Sequence, residues 1–341
     1  VNRSPTLEEI AKLAGVSRST VSRVVNEHPN VRAEVRERVW EVIDKTGYQP
    51  YAAARSLATR RSHIVGVIIP EAVTTLFTDP FFSHLLGSVT QTCNAKRYDL
   101  MLSLFNHPAG QKEMYRRVVR SGHLDGVVVA HTRVDDSLIA RLLEDKVPFV
   151  MVGRHRDERV HYVDMDNVAA ARMAVEHLIR QGHRRVATIT GPLDMTSGED
   201  RLVGYRQALE AHRLPMDDDL IVEGDFTEAS GMAAARRLLS LSATAIFAAS
   251  DVMAVGALKA LREAGARVPQ DVALVGFDDV PLAAAVEPAL TTVRQPIEQM
   301  GSMAADLLLN LLENPPDEQA PAHRIVLPGK LVIRGSCGAL E

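Results

Sequence analysis

The chain has 341 residues, 46% of them hydrophobic, with a mean hydropathy of −0.03. No apolar stretch reaches the roughly 18 residues that a membrane-spanning helix needs, so a soluble globular protein of two or three domains is expected. The net charge of −4 is unevenly placed: of 39 Lys+Arg and 43 Asp+Glu, residues 1–62 hold 11 and 7 and the remainder 28 and 36. A basic head therefore precedes an acidic body, and only the head is suited to meet phosphate. Cys93 and Cys337 make no metal or redox motif and no disulfide framework. With no apolar run behind Val1–Pro5, they predict a reducing cytoplasm rather than export.

Thr6-Leu7-Glu8-Glu9 reads as a capping box, in which the Thr6 hydroxyl takes an orphan amide and Glu9 reaches back to the amide of Thr6. Leu7, Ile10, Ala11 and Ala14 then follow helical spacing up to Gly15, which permits a tight turn. Ser17 caps a second helix with Val21, Val24 and Val25 inward, ended by Asn26 and Pro29. A third helix from Ala33 to Thr46 presents Val35, Val39, Val42 and Ile43 on one face and stops at Gly47; Arg32 stands where a small capping residue is commoner. Two short helices joined at a glycine and braced by a third form a helix-turn-helix unit. The polar face of the second helix carries Arg18, Ser19, Ser22, Arg23 and Asn26. Arginine pairs bidentately with guanine O6 and N7 in the major groove, while Ser, Thr and Asn suit phosphate oxygens. The bland alternative for any one of these residues is a solvated helix face.

The string A-x-x-A-G-V-S-x-x-T-V-S-R-V-x-N resembles the signature of the lactose-repressor (LacI) family, as do Gly47-Tyr48-Gln49-Pro50 and Ala53-Ala54-Arg55-Ser56-Leu57-Ala58. The resemblance implies an α/β protein with an all-α headpiece (residues 1–50), a hinge helix and linker (51–62), and a two-lobed core shaped like a periplasmic binding protein (63–341). It also implies that Arg18, Ser19 and Arg23 read bases, that Ser17, Thr20, Ser22 and Asn26 hold phosphates, and that Ala54 and Leu57 enter the minor groove. The physics of the hinge agrees. Tyr51 to Thr59 spans about two turns, too short to be a stable helix alone, so it should form only against DNA and a partner hinge. A Leu wedge there unstacks a base step and gains a bent, better-wrapped duplex. The alternative for Leu57 is a linker residue packed on the core.

From Ile64 onward, apolar runs alternate with amphipathic stretches. The runs are Ile64–Ile69, Leu100–Leu104, Gly126–Ala130, Phe149–Val152, Val186–Thr190, Ala245–Ala249 and Val272–Gly276. Between them lie helical patterns such as Phe81–Ala95, Ala169–Gln181, Arg201–His212 and Val252–Ala264. The alternation predicts parallel sheets covered on both faces, and its length predicts two lobes. The resemblance places the crossings near Asp164–Asp166, Thr292–Gln295 and residue 325. One lobe would then hold about 63–164 and 295–325, and the other about 165–292 and 326–341.

Ligands of such sheets sit beyond the carboxyl ends of the strands. The strand-end candidates are Asp79, Phe82, Arg154, Arg201, Phe226, Ser250, Asp278 and Gln295. Asp278 and Arg201 suit vicinal hydroxyls, and Phe82 and Phe226 suit the apolar face of a pyranose, so a mono- or disaccharide effector is expected. Arg201, Phe226, Asp278 and Gln295 fall where the family places ligand contacts, whereas Ser250 and Gly153 depart from its common Asn and Asp. Asp251 reads better as a helix cap than as a ligand contact. Phe81 reads equally as core or cleft, and Asp279 as a cap or a hinge clamp. Arg154 has the alternative of a carboxylate partner.

An enzyme on a doubly wound fold is the rival of another class. The chain has no G-x-G-x-x-G after a strand and no G-x-S-x-G elbow. Gly329-Lys330 is followed by Leu331 rather than Ser or Thr, and the 12 His show no metal-ligand spacing. His183 reads as structural. Neither catalysis nor a cofactor or metal is expected. The favoured function is a homodimeric, ligand-controlled repressor on palindromic operator DNA, with no heptad tail for a tetramer after Leu331–Arg334. The alternatives are a sugar-binding transport protein and a corepressor-dependent regulator acting with a protein partner.

Overall fold

The computed structural model describes residues 5–25, 28–48, 61–69, 73–104, 108–130, 133–134, 136–317 and 320–338. Asn26, Ala54, Leu57 and the expected hinge helix lie outside them. The chain divides into an N-terminal unit and a core unit.

The N-terminal unit holds α1 (Leu7–Ala14), α2 (Arg18–Val25) and α3 (Ala33–Thr46). The Thr6 hydroxyl accepts from the Glu9 amide at 3.3 Å and Glu9 accepts from the Thr6 amide at 2.6 Å, which completes the capping box. Gly15 ends α1 at φ +64°, a left-handed conformation that favours glycine. Arg32 makes no side-chain cap for α3. Ile10, Ala14, Val21, Val24, Val39 and Ile43 meet in a small buried core.

The core begins with β1 (Ile64–Ile69), α4 (Val73–Thr78), α5 (Pro80–Ala95), β2 (Asp99–Leu104), α6 (Pro108–Met114), β3 (Gly126–Ala130), α7 (Ser137–Glu144), β4 (Phe149–Val152) and β5 (Tyr162–Met165). There follow α8 (Asn167–Arg180), β6 (Val186–Thr190), α9 (Thr196–Ala211), β7 (Ile221–Glu223), α10 (Glu228–Ser240), β8 (Ala245–Ala248), α11 (Asp251–Glu263) and β9 (Ala273–Asp278). The chain closes with α12 (Pro281–Ala285), β10 (Thr291–Arg294), α13 (Ile297–Glu313), β11 (Arg324–Leu327) and β12 (Lys330–Val332).

Two six-stranded sheets result, ordered β11-β5-β4-β3-β1-β2 and β12-β10-β9-β8-β6-β7. The first is parallel throughout; in the second only β12 runs antiparallel, against β10. Parallel strands covered on both faces need unbroken apolar runs, which explains Ile64–Ile69 and Gly126–Ala130. Each sheet reverses its winding once, between β1 and β3 and between β6 and β8, and such switch points open ligand crevices. The chain passes between sheets after β5, after β10 and after β11. The third passage is Pro328-Gly329, a little later than the expected residue 325, because β11 stays paired to β5 through Leu327.

Helices α10 and α11 cross where both carry glycine. A Cβ on Gly256 would overlap the Glu228 carbonyl, and one on Gly231 would overlap Met253 backbone. Backbone cannot yield as a side chain can. Gly256→Val is therefore expected to cost more than about 3 kcal/mol, read as a lower denaturant midpoint. An unchanged midpoint would show that the helices separate freely.

Candidate functional site

The N-terminal unit offers a polar face on α2. Ser17 accepts from the Thr20 amide at 3.1 Å and lies 2.8 Å from the hydroxyls of Ser19 and Thr20, so it caps α2 as expected. Arg18, Ser19 and Arg23 are exposed, with Thr20 and Ser22 half-buried beside them. Arg18 pairs with Glu8 at 3.1 Å, an exposed contact worth at most about 1 kcal/mol that a phosphate or base edge can displace. With Val21 and Val24 packed inward, the opposite face of α2 presents cations and hydroxyls along one side.

In the core unit, a cavity lies between the two sheets at their carboxyl edges, with about 690 Å3 of space free of protein atoms counting its mouth. Asp79, Arg154, Arg201, Phe226, Ser250, Asp278 and Gln295, all candidates from the sequence, line it. Phe82 does not. It is fully buried among Leu85, Val89 and Cys93 in the core of the first lobe, while its neighbour Phe81 lines the cavity. Asp79 caps α5 by accepting from the Phe81 amide at 2.9 Å, and this turn sends one ring inward and the other to the cleft.

Arg201 is the central cation. It sits inside α9, which starts five residues earlier than expected, at Thr196. Its Nε donates to Asn167 at 2.9 Å and its guanidinium to the Ala249 carbonyl at 2.6 Å. The Phe277 ring lies 3.8 Å from the guanidinium carbon and the Phe226 ring 6.0 Å, so aromatic faces brace it. Burial lowers its pKa, and the carboxylates of Asp278, Asp164, Asp79 and Asp200 pull it back up. Phe226 takes φ +65°, and its ring lies where a Cβ on Gly191 would stand, so Gly191 makes room for it.

Asp278 ends β9 at φ +114°, a conformation L residues rarely adopt and one that clusters at functional sites. It accepts from Gln295 at 2.5 Å and lies 3.7 Å from Arg201. Burial pushes its carboxyl up to about 7, with Arg201 opposing and Asp79 adding to the rise. Asp251 is not the cap of α11. Ser250 is, accepting from the Met253 amide at 3.2 Å. Asp251, fully buried, accepts from Thr292 at 2.6 Å and from the Val280 amide at 3.0 Å, tying α11 to the neighbouring strand ends. Asp279 clamps Arg294, which precedes the crossing after β10, and Arg334, which follows β12, each at 2.6 Å.

Arg154 has the carboxylate partner that the sequence left open. It forms a bidentate pair with Asp200, at 3.0 and 2.5 Å. Sequence reasoning did not single out Asp164 or Asn167, which also line the cavity. Asp164 accepts from the amides of Met165 and Arg154 and from Asn167; burial raises it to about 6. Its place at the end of β5, next to a crossing, was the available signal. His183 lies 3.2 Å from the Thr244 hydroxyl at the start of a strand, a structural contact. Among the described residues no cluster of three or more His, Cys, Asp or Glu is placed to hold a metal, and no helix is long and apolar enough to cross a membrane.

A chain that carries both a helix-turn-helix unit and a two-lobed core with a polar interlobe cavity has the make-up of a DNA-binding regulator of the ligand-responsive class. Residues 6–51 match the model of bacterial regulatory proteins of the lacI family, and residues 175–337 that of a periplasmic binding protein-like domain. The chain is 42% identical over 339 residues to the HTH-type transcriptional regulator CelR of Thermobifida fusca, covering 98% of both chains. It is 35% identical to the ribose operon repressor of Escherichia coli K12, covering 97% and 99%. Among solved structures, the CelR–cellobiose complex matches with TM-score 0.77 and 40% identity, covering 97% and 99%. The lac repressor dimer bound to operator and the anti-inducer ONPF matches with TM-score 0.86 and 27% identity, covering 99% and 100%. The chain belongs to the LacI family and is a DNA-binding transcriptional regulator.

Proposed function

We propose that the chain is a homodimeric repressor of sugar-utilisation genes that works in the cytoplasm, performs no catalysis, and is released from a palindromic operator by a sugar held between its lobes. The observation that carries this reading is the interlobe cavity, where Arg201, braced by two Phe rings, faces Asp278 and Gln295 on a chain that also bears the exposed cationic face of α2. The cellobiose in the CelR complex supports a sugar, and the lac repressor dimer supports two copies on one operator. Full-length similarity to regulators disfavours the transport-protein alternative.

Arg18, Ser19 and Arg23 read base edges; Ser17, Thr20, Ser22 and Asn26 hold phosphates; Ala54 and Leu57 enter the minor groove between half-sites. Asp79, Phe81, Arg201, Phe226, Ser250, Asp278 and Gln295 contact the effector. Ligand preference for one lobe arrangement over another shifts the spacing of the two headpieces.

Fluorescence anisotropy on a palindrome with a central C-G step, against a scrambled duplex at two salt concentrations, tests the DNA half. Preferential binding with steep salt dependence is expected. Arg23→Ala should cost about 1–3 kcal/mol on the palindrome and relax base choice. Equal losses on both duplexes would reduce Arg23 to a phosphate contact, and equal weak binding of the wild type to both would remove the operator reading.

A further inference from the structure

Asp278 and Asp279 are neighbours at the end of β9, and both take positive φ, +114° and +59°. Aspartate visits the left-handed region near +59°, but +114° lies outside it, and such a conformation persists only where the surroundings hold it. Asp278 lines the cavity; Asp279 does not, and its side chain is 4% exposed. One oxygen of Asp279 accepts from Arg294 and the other from Arg334, each at 2.6 Å. The two cations are not equivalent. The Arg294 side chain is 55% exposed and that of Arg334 19%, so water competes far more for the first pair than for the second.

Arg334 is itself fixed. A second nitrogen of its guanidinium donates to the Leu290 carbonyl at 2.8 Å, and its amide donates to the Thr291 hydroxyl at 2.8 Å. It therefore ties the segment after β12 and the entry to β10 to the turn that leaves β9. Further along that turn the Val280 amide donates to Asp251 at 3.0 Å. The Gln295 side chain donates to the Asp278 carboxylate at 2.5 Å, and the Gln295 amide to the Asp278 carbonyl at 3.2 Å. Gln295 thus grips Asp278 directly, and Arg334 grips the residue that follows it.

We propose that Arg334, though it does not line the cavity, is a positioning residue of the effector site: acting through Asp279, it holds the turn that aims the Asp278 carboxylate into the cleft. The inference rests on the reading of Asp278 as an effector contact. A lysine at 334 keeps the charge but lacks the fork, so it cannot donate to Asp279 and Leu290 together in this geometry. Without that grip Asp278 relaxes toward an ordinary φ, and its carboxylate leaves the place where a ligand hydroxyl meets it.

Calorimetric titration of the full chain with cellobiose, glucose and ribose tests this in the wild type, Arg334→Lys, Asp278→Asn and the double variant. For a sugar that binds the wild type, Arg334→Lys should weaken binding about tenfold in the wild-type background and less than about twofold in the Asp278→Asn background, because both changes remove one shared interaction. A merely structural role would lower the melting temperature without touching affinity, or weaken binding by the same factor in both backgrounds; either result overturns the proposal. Asp279→Asn suits the left-handed backbone but loses the charge, and should weaken the same sugar about threefold or more. Unchanged affinity in that variant removes the clamp from the site. A crystal structure of Arg334→Lys needs no ligand: Asp278 still at φ near +114° with its carboxylate on Gln295 would also overturn the proposal. Asp278→Asn binding as tightly as the wild type, or no binding by any of these sugars, overturns instead the effector reading on which it stands.

Discussion

Asp278→Asn is expected to move the effector response to roughly 10- to 100-fold higher effector concentration, leave DNA binding without effector intact, and make the protein more stable than the wild type as the pH rises. The response depends on Asp278 because its carboxylate is the acceptor paired with Gln295 and Arg201 at the cavity wall. Losing a charge-assisted hydrogen bond to a ligand hydroxyl costs about 1.5–3 kcal/mol, a roughly 10- to 100-fold weaker effector. The stability effect follows from linkage. Burial, with a contribution from Asp79, raises the folded-state pKa of Asp278 to about 7, although Arg201 and Gln295 oppose the rise; Asp251 is raised in turn by burial and by Asp278. A raised acid binds its proton more tightly in the folded chain than in the unfolded one. Its contribution to stability is therefore greatest below the unfolded value near 4 and is lost as the pH climbs to about 7. Asn stands in for the neutral form at every pH. The melting temperature of the variant minus that of the wild type should be more positive at pH 8 than at pH 5, by at least about 2 °C. A pH-independent difference would mean that the Arg201 charge fully compensates the burial of Asp278, and a response at the same effector concentration as the wild type would remove Asp278 from the ligand site.

Much of this was legible because parallel sheets write themselves plainly. Runs such as Gly126–Ala130 and Val186–Thr190 are buried on both faces, and the Thr6–Glu9 capping box is a local device needing no distant partner. Reasoning failed where a distant element decides. The helical pattern expected from Arg201 begins five residues earlier, at Thr196, because Gly198 lets α9 start there by packing closely on the Pro192 carbonyl. Ser250 and Asp251 are both good caps one residue apart; Thr292 and Val280, far along the chain, draw Asp251 away and leave the cap to Ser250. The choice between Phe81 and Phe82 was available in principle, since Phe82, Leu85, Val89 and Cys93 share a helical face once Asp79 is taken as the cap. The same holds for α13, whose Ile297, Met300, Ala304, Leu308 and Leu311 keep helical spacing although no expectation covered it. The bidentate partner of Arg154 was not readable, because Asp200 lies on the other lobe.

That partner belongs to a strap across one rim of the cleft, and loosening it is expected to free the effector. From the first lobe come Arg133, Val134, Arg154 and Arg156; from the start of α9 and the turn before it come Asp194, Thr196, Glu199 and Asp200. Arg133 pairs with Asp194, whose carbonyl also accepts from the Val134 amide at 2.7 Å. Arg156 holds both oxygens of Glu199 at 2.9 Å, and Thr196 donates to the Arg154 carbonyl at 3.1 Å. The outer pairs are about half exposed and contribute little singly. Arg154–Asp200 differs in being bidentate and largely shielded, which places its hydrogen bonds in the range of about 1.5–3 kcal/mol. Asp200→Asn removes the charge but keeps the shape, so the lobes should separate more often and a bound neutral sugar should dissociate about tenfold faster in stopped-flow displacement. Arg154→Ala should do the same, and the double variant should do little more than either single change, since both remove one shared interaction. Added salt should speed release from the wild type by screening the outer pairs, while the shielded pair persists. If release from Asp200→Asn proves as slow as from the wild type, the rim contacts follow closure without holding it, and the ligand itself must supply the force between the lobes.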